Sequence, residues 1–240
     1  GNEFHGMGSD DIIETGYGDD VVGWAEGDGS DTIDMGTGWD TVKVRTGDFD
    51  DAVSVASPAA NKVTIAAGGS VLDVTGSDVI ELDTGAGDDM VTVADLVGTD
   101  MNEVVVYLGE GDDRLDAGAA TTRIEAYGGA GDDWFVGGSG HDMFDGGDGS
   151  DWLDYSTAPG RVKVALGCRA FEDGRGSRDD LSDIENIIGS SFADIIWGTD
   201  DANIIDGGPG NDEIFGKDGD DTIVWNPGGG SVSISIFKDL

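Results

Sequence analysis

Large apolar residues recur along this chain in two rhythms. In the stretch 128–154, GGAGDDWFVGGSGHDMFDGGDGSDWLD, Phe135, Phe144 and Leu153 stand nine residues apart, each the middle of a three-residue run between glycine-rich segments. Runs that short predict strands, with the middle side chain turned inward and its neighbours outward. Elsewhere strict alternation replaces the nine: Val53 and Val55, Val63 and Ile65, Val162, Val164 and Leu166, and Val232, Ile234 and Ile236. β-Branched residues separated by Gly, Ser and Asn clusters read as strands and turns. The pattern therefore predicts an all-β chain of many short strands.

The polar segments between those strands are as regular as the strands. Residues 128–154 are three copies of Gly-Gly-x-Gly-x-Asp-x-apolar-x, with Asp133, Asp142 and Asp151 at the sixth position. Glycines at the first, second and fourth positions, among them Gly129, Gly131, Gly138, Gly140, Gly147 and Gly149, permit backbone angles that a Cβ would forbid. Successive carbonyls can then point at one spot. The Asp adds a carboxylate, so each turn is half of an oxygen cage for a hard divalent cation. This sentence of nine residues resembles the RTX (repeats-in-toxin) nonapeptide. The resemblance implies a parallel β-roll, or β-solenoid, with calcium-binding Gly-Asp turns.

Read in order, the chain divides into five stretches. Residues 1–44 form a first repeat block with Asp10, Asp20, Asp31 and Asp40 at the sixth position and Ile12, Val22, Ile33 and Val42 at the eighth. Their uneven spacing requires the extra residues to be absorbed in bulges or longer turns. Residues 45–83 lose the Gly-x-Gly-x-Asp kernel and read as calcium-poor rungs, with a small inserted β domain as the alternative. Residues 84–154 carry one kernel per coil at Asp89, Asp113 and Asp133, then the triplet. This predicts a calcium row on one edge running Asp89, Asp113, Asp133, Asp151, with Asp142 alone on the other edge. Residues 155–193 form an insert in which LSDIENIIG reads equally as a strand or a short helical turn. Residues 194–240 return to nine, with Asp194, Asn203, Asp212 and Asp221 at the sixth position, a complete copy at Gly208–Gly210–Asp212, and a closing strand over 231–237. Lys217 in place of a glycine and Asn203 in place of a carboxylate predict weaker sites here.

The chain has 51 acidic against 12 basic residues and a formal net charge of −39. That excludes ordinary nucleic-acid binding, which needs a basic surface, and docking on an anionic membrane. No apolar run approaches the length of a membrane-spanning helix. High net charge alone fits disorder, a halophilic surface, or carboxylates awaiting cations. The acids sit at one phase of a repeat rather than in runs, which favours cation sites. A single cysteine, Cys168, leaves no internal disulfide, so metal is the expected staple. The chain opens mid-pattern and is expected to be part of a longer protein.

Calcium takes six to eight oxygens, more than one turn supplies. Two turns one coil apart supply them, pairing Asp133 with Asp151, Asp194 with Asp212, and Asn203 with Asp221. This matches the arrangement that the resemblance implies. A thin roll buries few large side chains, so folding is expected to depend on the ion. Catalysis is not expected: His5 and His141 are the only histidines, and neither pairs with Cys168 or forms a zinc set. The seventh position, Met90, Arg114, Trp134 and Trp152, predicts an outward stripe, either ladder packing or a contact face. The resemblance implies a calcium-binding structural module of a secreted or cell-surface bacterial protein, folding outside the cell after type I secretion. The alternatives are a subunit of a self-assembling fibre, surface layer or adhesin, and the carboxyl-terminal repeat region of a secreted hydrolase.

Overall fold

The structure, a computed structural model, describes residues 3–5, 8–225 and 230–235, with the side chains of Glu3 and His5 left out. Ile236 and the end of the closing strand expected over 231–237 lie outside the described residues. All regular elements are strands, arranged in a 13-stranded and a 12-stranded sheet. The chain alternates between the two. Arg123–Ala130 in the first sheet is followed by Trp134–Val136 in the second, then Met143–Asp148 in the first and Trp152–Asp154 in the second. Each of these strands pairs in parallel with the strand one coil away in register, as in Trp134↔Trp152 and Phe135↔Leu153. This is a parallel β-roll.

The core is a single file of inward side chains between the sheets. Phe135, Phe144, Leu153, Ile196, Ile205 and Ile214 are fully buried. Their flanking residues are partly or fully exposed except Val136, as a two-residue side-chain period leads one to expect. Phe135 and Phe144 come from opposite sheets and meet with ring centroids 5.5 Å apart.

The parallel order is interrupted twice, once in each sheet. Ala52–Ala59, Lys62–Ala67 and Ser70–Thr75 each run antiparallel to the next and enter the second sheet between Thr32–Asp34 and Met90–Val93. Most of the segment 45–83 thus stays in the roll as a meander over 52–75 laid into one sheet, and Val79–Asp83 returns to the other. The hairpin turns of the meander fall at Asn61, with φ 57°, and at Gly68–Gly69. The second interruption adds Val162–Ala165 and Arg169–Asp173 to the first sheet, beside Asp179–Ser182. The ambiguous LSDIENIIG resolves into strands, ending in Asn186–Ile188.

The first copy sits one residue later than its glycine spacing predicts. Ile12 is 81 % exposed, and Ile13 packs against the core opposite Ile33. Asp11 correspondingly takes the sixth-position place and Asp10 the fifth. HGMGSDDII offers two adjacent aspartates and two adjacent isoleucines, so the local sequence cannot choose between registers a single residue apart. Pairing with Thr32–Asp34 chooses.

Candidate metal centre

The turns that link the sheets stack into two rows, one along each edge. Turns from the first sheet to the second carry Asp31, Asp89, Asp113, Asp133, Asp151 and Asp221, with Asn203 between the last two. Turns in the opposite sense carry Asp20, Asp40, Asp142, Asp194 and Asp212. Asp133 and Asp151 therefore share an edge, and Asp142 lies on the other.

Within a row each carboxylate binds the main chain one coil back. The Asp89 N–H donates to Asp113 Oδ1 at 2.7 Å, the Asp113 N–H to Asp133 Oδ1 at 2.9 Å, and the Asp133 N–H to Asp151 Oδ1 at 2.8 Å. The Asp194 N–H donates to Asp212 Oδ1 at 3.0 Å, the Asn203 N–H to Asp221 Oδ1 at 3.1 Å, and the Asp20 N–H to Asp40 Oδ1 at 2.8 Å. One oxygen of each carboxylate thus fixes the register between coils.

The other oxygen has no such role. Oδ2 of Asp31, Asp40, Asp89, Asp113, Asp133, Asp151, Asp212 and Asp221 is buried without a hydrogen-bond partner in the protein. A buried carboxylate oxygen left so is costly, and a column of them more so. Burial raises the Asp133 carboxyl to about 7, the charges of Asp113 and Asp151 adding to it against the lowering effect of the Asp113 amide. Burial likewise raises Asp113, Asp151 and Asp142 to about 6. Asp40, Asp89, Asp194 and Asp212 move in the same direction for the same first reason.

The glycines set what faces that oxygen. A Cβ built on Gly128 would fall within 3.0 Å of both Asp133 Oδ2 and the carbonyl oxygen of Gly146, one coil on. The same cradle recurs at Gly189, between Asp194 Oδ2 and the Gly207 carbonyl. Gly129 and Gly147, at φ 110° and 100°, bring the turns close enough for this. A Cβ on either would strike the carbonyl oxygen of the turn one coil before, Gly109 or Gly129. Gly131, Gly138, Gly140, Gly149, Gly208 and Gly210 are packed equally tightly against the preceding turn. Among the described residues no three His, Cys, Asp or Glu side chains group closely enough to hold an ion alone, so an ion here needs these carbonyls. One hard carboxylate oxygen per turn beside main-chain carbonyls fits calcium. Four stretches of the chain, residues 1–22, 104–121, 126–156 and 188–223, match the family of the RTX calcium-binding nonapeptide repeat.

Those four stretches carry RTX calcium-binding repeats. No curated protein matches it. The RTX repeat is a structural calcium-binding module, and the roll described above is the architecture it builds.

The RTX turns are not all alike. Asp142 accepts from the Ile124 and Gly138 amides, one on each oxygen. Both Asp194 oxygens accept from Ser190, which stands where a glycine belongs. The Asn203 amide is fully engaged: Oδ1 accepts from the Thr199 N–H at 2.7 Å, and Nδ2 donates to the Glu185 carbonyl at 2.8 Å. Asp10, placed in the fifth column, accepts from the exposed Ser30 N–H rather than joining the buried row.

Four row members carry no repeat signature that the sequence would reveal. The Asp51 N–H donates to Asp89 Oδ1, so Asp51 extends the row into the segment expected to be kernel-free. Gly47 and Asp51 keep the spacing, but Phe49 replaces the middle glycine. Asp78 receives the Asp40 N–H, and Glu185 the Asp151 N–H at 2.9 Å. Asp179 receives the Asp142 N–H through Oδ1 and the Tyr155 hydroxyl through Oδ2. Burial raises it to about 7. Asp78 and Glu185 follow no Gly-x-Gly-x turn, and Asp179 stands one residue beyond the place that Gly174 and Gly176 would give it.

Proposed function

We propose that this chain is a structural module assembled by calcium, whose two rows of turns hold ions between successive coils. The observation that carries this reading is the column of buried carboxylate oxygens without partners, set among glycine cradles and carbonyls of the next coil. The ligands are Asp31, Asp40, Asp89, Asp113, Asp133, Asp151, Asp212 and Asp221, with the glycine-turn carbonyls. Asp20, Asp142 and Asp194 belong to the same rows. Asn203 closes its turn without an ion, and Asp10 yields its place to Asp11. The Asp133–Asp151 pair has the fullest set of turn glycines and forms the tightest site.

Repulsion along these rows opposes folding until cations bind, so binding energy becomes folding energy. The chain is accordingly unfolded at cytosolic calcium and folds at extracellular calcium. This suits a non-catalytic module of a secreted or cell-surface bacterial protein exported by type I secretion. It is organised as repeat blocks 1–44, 84–154 and 194–240 joined through 45–83 and 155–193. No described helix is long and apolar enough to cross a membrane. Far-UV circular dichroism in EGTA and then in millimolar calcium tests the reading. A β spectrum appearing only with calcium supports it; identical β spectra in both would sink it.

A second reading, self-association or docking to a neighbouring domain, is favoured by the outer ladder of the second sheet. Trp134 and Trp152 stack at 5.2 Å, with the Arg114 guanidinium 5.4 Å from the Trp134 ring centroid. The ring faces lie against each other, which suits ladder packing first. Sedimentation of a Trp134→Ser/Trp152→Ser variant in calcium separates the two: a parent that associates and a variant that does not would establish the contact face.

A further inference from the structure

The RTX row on the Asp133 edge meets the second insert at Asp151. By sequence it should stop there, because the next turn on that edge, Ser182–Asp183–Ile184–Glu185, has no glycine and follows Asp151 by more than thirty residues. The structure nevertheless stacks this turn directly on the turn 146–151. Trp152–Asp154 pairs in parallel with Asn186–Ile188, and the Asp151 N–H donates to Glu185 Oε2.

The local geometry repeats that of the turn one coil before. A Cβ on Gly128 would fall within 3.0 Å of Asp133 Oδ2 and the Gly146 carbonyl; a Cβ on Gly146 would fall within 3.0 Å of Asp151 Oδ2 and the Asp183 carbonyl. Asp151 is completely buried, and its Oδ2, which faces this cradle, has no partner. Asp183 is one of few non-glycine residues at positive φ, 48°. That left-handed backbone is one glycine adopts most readily, and the Asp183 carbonyl stands where the Gly146 carbonyl stands one coil before. Glu185, one methylene longer than Asp, reaches from a shortened turn to the place the sixth-position aspartate occupies elsewhere.

We propose that Asp151 Oδ2, the Asp183 carbonyl and the Glu185 carboxylate form a further calcium site that carries the ion row across the insert. The proposal rests on the calcium reading of the glycine turns given above. It assigns a ligand role to a turn with no repeat signature. It also gives the insert a purpose, since folding flat into the sheet keeps the turns on either side within one coil of each other.

Calcium stoichiometry and affinity measured by titration calorimetry on the full chain test it, with folding at saturating calcium checked by circular dichroism. Glu185→Gln keeps the length and the acceptor for the Asp151 N–H and removes only the charge. Gly146→Ala fills the proposed cradle, and Gly128→Ala fills the one before it. Glu185→Gln is expected to weaken one ion about tenfold or more, and Gly146→Ala to remove one. If Gly128→Ala loses an ion while Glu185→Gln and Gly146→Ala bind the full number with unchanged affinity, the bridging site is overturned and the general reading stands. A parent chain that binds no calcium overturns both. Should Gly146→Ala fail to fold, Glu185→Gln alone decides.

Discussion

The main-chain N–H of Asp133 donates to Oδ1 of Asp151 across a gap of 18 residues, while Oδ2 of the same carboxylate is buried without a partner. One side chain thus sets the register with one oxygen and presents the other to the cradle. Asparagine keeps the first role and loses the second. Asp151→Asn is expected to weaken calcium binding at least about tenfold. It should also stabilise the ion-free chain by about 1–2 kcal/mol, because a buried like-charged group is removed. The folded fraction without calcium, read by circular dichroism, should therefore rise while the melting temperature in calcium falls.

The raised carboxyls fix the sign of the pH response. Asp133 and Asp179 titrate near 7 in the folded chain, and Asp113, Asp142 and Asp151 near 6. Unfolded aspartates titrate near 3.9, so between about pH 4 and 7 the folded state holds more protons. Its stability without calcium is fully present below pH 4 as far as these groups are concerned, and is lost as pH rises through 6 to 7. Calcium-free chain should fold better at pH 5 than at pH 7.5. Calcium must displace these protons, so its affinity should fall over the same interval as pH drops. Proton release on calcium addition near pH 6.5, measured in two buffers of different ionisation enthalpy, checks the coupling.

Gly147 combines φ 100° with a position at which a Cβ would strike the Gly129 carbonyl. Gly147→Ala imposes both a disfavoured backbone and an overlap, and is expected to cost about 2–4 kcal/mol at saturating calcium. Ala130→Ser, at the exposed end of the strand Arg123–Ala130, should be neutral. Chemical denaturation of the two variants side by side tests this.

Phe135→Ala leaves a hole where two rings meet between the sheets and should cost about 3–5 kcal/mol. Each coil touches only its neighbours, so the loss should be local and should break the cooperativity of unfolding. Hydrogen exchange should quicken first in Leu115, Trp134–Val136 and Leu153.

The short-range features of this protein were legible in its sequence. The phase of Phe135, Phe144 and Leu153 follows from strand alternation, and the positive φ of Gly129 and Gly147 from the lack of a Cβ; both are properties of a few consecutive residues. Tertiary structure decided which turn stands on which. Whether Asp10 or Asp11 joins the row depends on pairing with a strand twenty residues on. That Asp51 stacks on Asp89, and Asp151 on Glu185, depends on two inserts folding flat into a sheet, which brings residues 38 and 34 apart within one coil. The nonapeptide specifies how each turn is shaped, but the ion sites lie between turns, and their composition is set by whichever segment the sheets place next.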